Sequence, residues 1–216
     1  MTVAVIFDLF GTLLEIRNRQ NPYRQLLRIG AKQGRAASSK DMRAILAFNG
    51  GISEAAEAFG ICPSSADLAD LECMLELELE SITPFDDAMI AIELLREHGI
   101  KIGVCSNLAG PYCSKVRSLL PGLDGYALSA ELGLLKPDPG MYRSICNMLG
   151  VLPEQVESEQ VLMIGDSRRC DEQGPRAFGI PGYHLDRNGA GPYSDLISFV
   201  QTVTADEHRV LHKEDS

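Results

Sequence analysis

A chain of 216 residues with 45% hydrophobic and 23% charged side chains excludes disorder, collagen-like repetition and a fibrous fold, and can bury a core without staples. Twenty basic against thirty acidic side chains, a formal −10, argue against a nucleic-acid partner, because no surplus of cations is available to neutralise phosphates. No apolar run approaches the roughly 18–20 residues that span a bilayer, and the opening MTVAVIFD lacks the pattern of a signal peptide. The expectation is therefore a cytoplasmic protein with no membrane partner. Its scattered cysteines, Cys62, Cys73, Cys105, Cys113, Cys146 and Cys170, are expected as reduced thiols, two or three of them core filler.

Taken in chain order, Val3–Phe7 is a continuous apolar, β-branched run stopped by Asp8, the pattern of a strand buried on both faces. From Asn21–Pro22, an N-cap followed by a first-turn proline, a helix with Tyr23, Leu26 and Leu27 on its apolar face is predicted. Ser38 to Asp41 has the form of a capping box before Met42, Ile45, Leu46 and Phe48. Glu54–Phe59 predicts a short helix between glycines. Pro63 opens a longer one, with Leu68, Leu71, Leu75, Leu79 and Ile82 at helical spacing and Glu72, Glu76 and Glu80 on another face, ended by Thr83–Pro84. After that come a helix at about 86–98, a strand at Ile100–Cys105, a helix at 112–120 and a short strand at Tyr126–Ser129. The pattern closes with a helix at 140–149, a strand at Val161–Ile164, a helix at 171–178 that Pro175 would shorten or kink, and a strand at Gly182–Leu185. Strands alternating with helices indicate a parallel α/β sheet. An all-helical block interrupts it after the first strand.

Charge follows the same division. Residues 1–43 hold eight basic and three acidic side chains, a balance of +5. Residues 44–97 hold only Arg96 against twelve acids, a balance of −11, and residues 98–216 hold eleven against fifteen, a balance of −4. The basic arm Arg17–Arg43 is thus a candidate lining for an anion's entrance. The stretch 205–216 is polar, a frayed helix or a tail, and His208 and His212 within it, lacking a third ligand, read as solvated.

Several strand-like runs end in polar residues, where open parallel sheets place ligands. The first run is followed by Asp8-Leu9-Phe10-Gly11-Thr12, the second by Ser106-Asn107. The fourth ends Gly165-Asp166-Ser167 with Asp171 five residues after Asp166, and Leu135-Lys136-Pro137 lies between the third and the next helix. Over about residues 3–185 these ordered motifs resemble the haloacid dehalogenase (HAD) superfamily, in the subgroup with a helical cap inserted after the first strand. The resemblance implies a Rossmann-like parallel sheet core at residues 1–14 and 85–205, a four-helix cap at 15–84 and a polar tail at 206–216. It also implies Asp8 as nucleophile, Ser106 and Lys136 as its catalytic partners, and Thr12, Asn107, Phe10 and Gly11 around the substrate. Mg²⁺ would be held by Asp8, Asp166, Asp171 and the main-chain carbonyl of Phe10.

Elementary electrostatics agrees with this assignment. Three carboxylates within a few ångströms cannot all stay ionised unless a cation sits among them, and Mg²⁺ is the hard, oxygen-seeking candidate. Taken singly, Asp166-Ser167 reads equally as an N-cap, Ser106-Asn107 as a strand-end turn and Arg168–Arg169 as helix-surface charge. One position departs from the pattern of HAD phosphatases. Phe10 stands where most carry a second aspartate that protonates the leaving group, a contribution of roughly 10²–10⁴-fold. An aromatic residue there resembles the 2-haloacid dehalogenases, as do Asn107 and Tyr142. The acidic pair resembles the phosphatases. The expectation is a HAD-like hydrolase of a small anionic substrate, a Mg²⁺-dependent phosphatase ahead of a haloacid dehalogenase or a catalytically weak phosphometabolite-binding protein, with a homodimer allowed.

Overall fold

The computed structural model describes residues 2–152, 155–156, 160–189 and 191–211, with side chains described as far as residue 205. The chain opens with β1 (Ala4–Phe7) and a short strand β2 (Leu14–Ile16). It then forms α1 (Pro22–Lys32), α2 (Asp41–Leu46), α3 (Ile52–Ala58) and α4 (Ser65–Glu80), and returns through β3 (Ile82–Pro84). From there strands and helices alternate: α5 (Asp86–Glu97), β4 (Lys101–Ser106), α6 (Gly110–Leu119), β5 (Gly125–Leu128), α7 (Ser129–Leu132), α8 (Pro139–Met148) and β6 (Val161–Gly165). A π-helical turn (Arg168–Gln173) leads into α9 (Gly174–Phe178), β7 (Gly182–His184) and α10 (Leu196–Leu211).

Five strands form one parallel, Rossmann-like sheet in the order β5-β4-β1-β6-β7. The chain fills one side of β1 with β4 and β5, then crosses to the other side for β6 and β7. The order therefore reverses at β1, the place where open α/β sheets bind ligands. Register carries the functional ends to one level: Phe7 lies opposite both Val104 and Ile164, so Asp8 emerges between the ends of β4 and β6. Strand periodicity explains the all-apolar runs. Val5, Phe7, Val104 and Ile164 face one cluster with α5, α6 and α10, while Ala4, Ile6, Cys105 and Met163 face another with α8.

Two sequence expectations need correction. The block at 15–84 is not all helical: Leu14 pairs with Pro84 and Ile16 with Ile82 in an antiparallel ribbon. Ile82 belongs to this ribbon and not to the leucine face of α4, which ends at Glu80. The helix expected at 171–178 is a π-helical turn followed by an α-helical turn, because Pro175 supplies no N–H for a continuous ladder and sits where a helix tolerates it, in the first turn. Helix α10 runs on to Leu211, so 206–211 are helical; the side chain of His208, and all of His212, lie outside the described residues. All six cysteines are unpaired, three of them buried. Among the described residues no helix is long and apolar enough to cross a membrane.

Candidate active site

Asp8 is the first residue beyond β1, and its own amide donates to Ile164 O (3.0 Å). The carboxylate is buried. Its Oδ1 accepts from Ser106 Oγ (3.0 Å) and from Lys136 Nζ (2.7 Å), and among the described residues no group donates to Oδ2. One oxygen is therefore gripped by a hydroxyl and an ammonium while the other keeps its lone pairs free to attack.

Lys136 is almost wholly buried and donates a second bond, to Asp171 Oδ1 (2.6 Å). Burial pulls its ammonium down, but the charges of Asp171 and Asp8 outweigh this and hold it well above the ordinary lysine value. The backbone of Lys136 is fixed by Asn107, whose side-chain amide accepts from Lys136 N (2.7 Å) and donates to Lys136 O (3.1 Å). Both amide groups of Asn107 are thus committed to the lysine, although its side chain also faces the adjoining cavity.

Asp171 starts the second half of the π-helical turn and is buried, with Oδ2 accepting from Ser167 N (2.9 Å). Burial raises its carboxyl first, the charge of Asp8 raises it further, and Lys136 only partly offsets them. Asp166 keeps contact with solvent, yet partial desolvation and then Asp8 push its carboxyl up as well. Asp8, Asp166 and Asp171 each offer an oxygen within 4.8 Å of the others. One ammonium faces three carboxylates, a set that fits a hard divalent cation. Two glycines permit the approach. A Cβ on Gly165 would strike the Asp171 carboxylate and lie 2.7 Å from Asp8 Cβ, and one on Gly11, whose φ is +89°, would strike the Asp166 carboxylate.

The remaining expected residues are arranged less simply. Thr12 is wholly buried, and its hydroxyl has no partner among the described residues. Phe10 lines a cavity of about 270 Å³ beside the carboxylates, together with Asn107, Met42, Ile45, Leu108 and Tyr112. None of the three aspartates lines that cavity. Of the arginines at 17–43, Arg19 and Arg24 reach its wall. Arg17 instead pairs with Glu15, and Arg35 with Asp41. Tyr142, the other residue shared with the dehalogenase pattern, is buried in the core and donates to Cys170 O (2.7 Å). Arg168 and Arg169 are exposed, Arg168 lying 3.7 Å from Glu172.

Sequence reasoning missed Glu78 and Tyr112. Glu78 Oε2 accepts from Gln20 N (2.6 Å) and Asn21 N (2.7 Å), and Oε1 accepts from Tyr112 Oη (2.8 Å). Burial and then Glu78 raise the Tyr112 phenol, whose ring stands edge-on to Phe10 at 5.9 Å. A signal existed: Glu78 falls seven and three residues after Leu71 and Leu75 on α4, which puts it on the buried face.

Comparison with known proteins agrees with the fold. A model of the haloacid dehalogenase-like hydrolases matches residues 2–179. The phosphoglycolate phosphatase of Rhodospirillum rubrum is 33% identical over 110 residues, 48% of this chain and 42% of that protein. The phosphonoacetaldehyde hydrolase of Bordetella avium is 27% identical over 222 residues, 93% of this chain and 78% of that protein. Among solved structures, a HAD phosphatase from Thermococcus onnurineus matches with a TM-score of 0.62 at 21% identity, covering 94% of this chain and 98% of its own. A 2-haloacid dehalogenase from Pseudomonas syringae pv. Tomato matches with a TM-score of 0.61 at 19% identity, covering 94% and 99%.

Proposed function

This chain belongs to the haloacid dehalogenase-like hydrolases, and on that premise we propose that it is a Mg²⁺-dependent phosphatase of a small anionic metabolite, working through an aspartyl-phosphate at Asp8. The observation that carries the reading is the gathering of Asp8, Asp166 and Asp171 with oxygens within 4.8 Å of one another, a single ammonium pairing with two of them. Those three carboxylates, with the main-chain carbonyl of Phe10, would hold the ion. When bound it supplies the positive charge that lets an anionic nucleophile meet an anionic phosphate.

Asp8 Oδ2 attacks phosphorus and the bond from phosphorus to the leaving oxygen breaks, while Ser106 and Lys136 hold Oδ1. Water then attacks the phosphorus of the acyl phosphate, which releases inorganic phosphate and restores the carboxylate. Lys136 keeps its charge because both carboxylates hold it before the attack, and Asp171 still holds it once Asp8 is esterified. Phe10 can move no proton, so the substrates favoured are those whose leaving group departs as a stable anion, such as acyl or anomeric phosphates. Helices α1–α4 act as the cap that excludes water, with Arg19 and Arg24 drawing the anion to the cavity. Two relatives support the phosphatase part of this reading, one named a phosphoglycolate phosphatase and one, of Methanopyrus kandleri, a glyceraldehyde 3-phosphate phosphatase; both names denote alkyl phosphates, so the leaving-group preference rests on Phe10 alone.

Phosphate release from a metabolite panel, with and without Mg²⁺, tests this reading. Acetyl phosphate should turn over faster than an alkyl phosphate, and only with the metal; no Mg²⁺-stimulated release from any member would sink it. A second reading is supported by Phe10 on the wall of a largely apolar cavity. In a 2-haloacid dehalogenase Asp8 would displace halide from carbon, and halide needs no proton to leave. It requires metal-independent chloride release from 2-chloropropionate that disappears in Asp8→Asn.

A further inference from the structure

Arg187 lies in the loop after β7, 176 residues from Gly11 and 175 from Thr12, which it contacts. Its Nε donates to Gly11 O (3.2 Å) and its Nη2 to Thr12 O (2.6 Å). The outer edge of the same guanidinium bonds both oxygens of Asp87, Nη1 to Oδ2 and Nη2 to Oδ1, each at 3.0 Å. The group stacks on Phe85, 3.8 Å from the ring centroid. Asp87 Oδ2 also accepts from Leu196 N (2.8 Å) at the start of α10, and Phe85 N donates to Leu13 O (3.0 Å). One planar cation thereby ties the β7 loop, the first turn of α5 and the segment that follows the nucleophile. Only a guanidinium has the fork to bond two carbonyls and a carboxylate from one plane while stacking on a ring.

The two carbonyls it grips are those directly after Phe10. Gly11, which carries the first of them, packs so closely on Asp166 that a single added carbon would strike the carboxylate. A displacement of Gly11 therefore reaches Asp166 without any intermediate, and a displacement at Gly11 N reaches the Phe10 carbonyl through one peptide bond. Arg187 itself touches none of the three aspartates.

We propose that Arg187 is a positioning residue for the acidic cluster: by fixing Gly11 O and Thr12 O it sets the loop against Asp166 and so sets the site's affinity for Mg²⁺. This rests on the metal-dependent reading above. Partners that orient metal ligands typically account for 10–100-fold in affinity, and Arg187 acts one step further out, so a loss of about ten-fold is expected in Arg187→Lys. Lysine keeps the charge beside Asp87 but cannot span both carbonyls.

The test is a calorimetric Mg²⁺ titration of the full chain as wild type, Arg187→Lys and Arg35→Lys, with thermal midpoints recorded for each. Arg35 makes the same kind of contact in the helical block, bidentate to Asp41, bonded to Phe59 O and set over the Phe59 ring. Both variants should melt earlier. Only Arg187→Lys should bind Mg²⁺ about ten-fold more weakly. Equal affinities in wild type and Arg187→Lys would overturn the assignment while leaving the metal reading intact, and so would an equal loss in Arg35→Lys, which would mark the effect as general loosening. A wild type that binds no Mg²⁺ overturns both. Should Arg187→Lys not fold, Asp87→Asn loosens the other side of the fork, and it must show a smaller weakening of the same sign.

Discussion

The core and the helical block each contain an arginine locked onto an aspartate, an aromatic ring and a main-chain carbonyl, yet the two devices have different surroundings. Arg35, with Asp41, Phe59 and the end of α3, closes the block on itself, and neither Asp41 nor Phe59 lines the cavity. Arg187 grips the carbonyls of Gly11 and Thr12, directly after Phe10. The same contrast holds for charge in general. In the core, Asp8, Lys136 and Asp171 are buried and in contact, where low dielectric makes each interaction strong. In the block, Arg19, Arg24, Glu72 and Glu76 are exposed, where solvent screens them. The core is built to hold charge in place, and the block to shape the space beside it.

Five substitutions can break or sharpen this contrast. The largest effect belongs to Asp8→Asn, which removes the attacking oxygen; turnover of any substrate should fall by at least about 10³-fold, with the protein still folded by circular dichroism. Comparable loss from Arg24→Gln in the block would erase the division of labour. Phe10→Asp restores a proton donor on the cavity wall and should raise hydrolysis of alkyl phosphates by about 10²-fold or more; an unchanged rate in the presence of Mg²⁺ would mean that the scaffold does not handle phosphate esters.

Lys136→Met leaves two buried carboxylates without their ammonium. A loss of about 3–5 kcal/mol is expected from breaking one partner of a buried pair, measured by urea unfolding without metal and partly recovered by adding Mg²⁺. The smallest effect is in the block. Hydrogen bonds from Arg35 and Ser38 hold the Asp41 carboxyl down to about 2. A group depressed in the folded state contributes stability above its ordinary value of 3.8 that is lost as pH falls through the folded one. Wild type should therefore exceed Asp41→Asn in stability at pH 6, and the two should converge as pH falls from about 4 towards 2; a gap that persists at pH 2 would remove the ion pair as its cause.

Asp8, Ser106 and Asp166 were legible because each follows a local pattern. Each ends or follows an apolar run, and a strand that is apolar throughout has to be buried on both faces; Asp171 was legible only by its spacing from Asp166 within the family resemblance. Parallel strands of similar length then bring those ends to one level. Arg187 carried no such signal: its carbonyl partners stand 176 and 175 residues away, and nothing in DRNGAG distinguishes it from an ordinary turn. The ribbon of Leu14–Ile16 with Ile82–Pro84 was hidden for a related reason. Three-residue strands are too short for periodicity, and Ile82 fell in register with the leucines of α4 by coincidence of spacing. Glu78 was half visible, since its helical position predicted burial but not which donors would satisfy it; its partners in the entry loop are 57 and 58 residues distant.

Length and composition excluded a fibrous fold, the net charge argued against a nucleic-acid partner, and the sequence by itself determined an α/β sheet with an inserted helical block and acids at the strand ends. Those features follow from period, propensity and chain order, which act over a few residues. The tertiary structure decided that the three acids meet and that two of them share one ammonium, that only Arg19 and Arg24 of the basic arm reach the cavity, and that Arg187 holds the loop beside the first strand. These depend on which distant segments meet, and packing sets that only once the sheet has formed. The net charge of −10 is thereby resolved in space, with acids spread over the outer face of α4 and two exposed arginines lining the cavity.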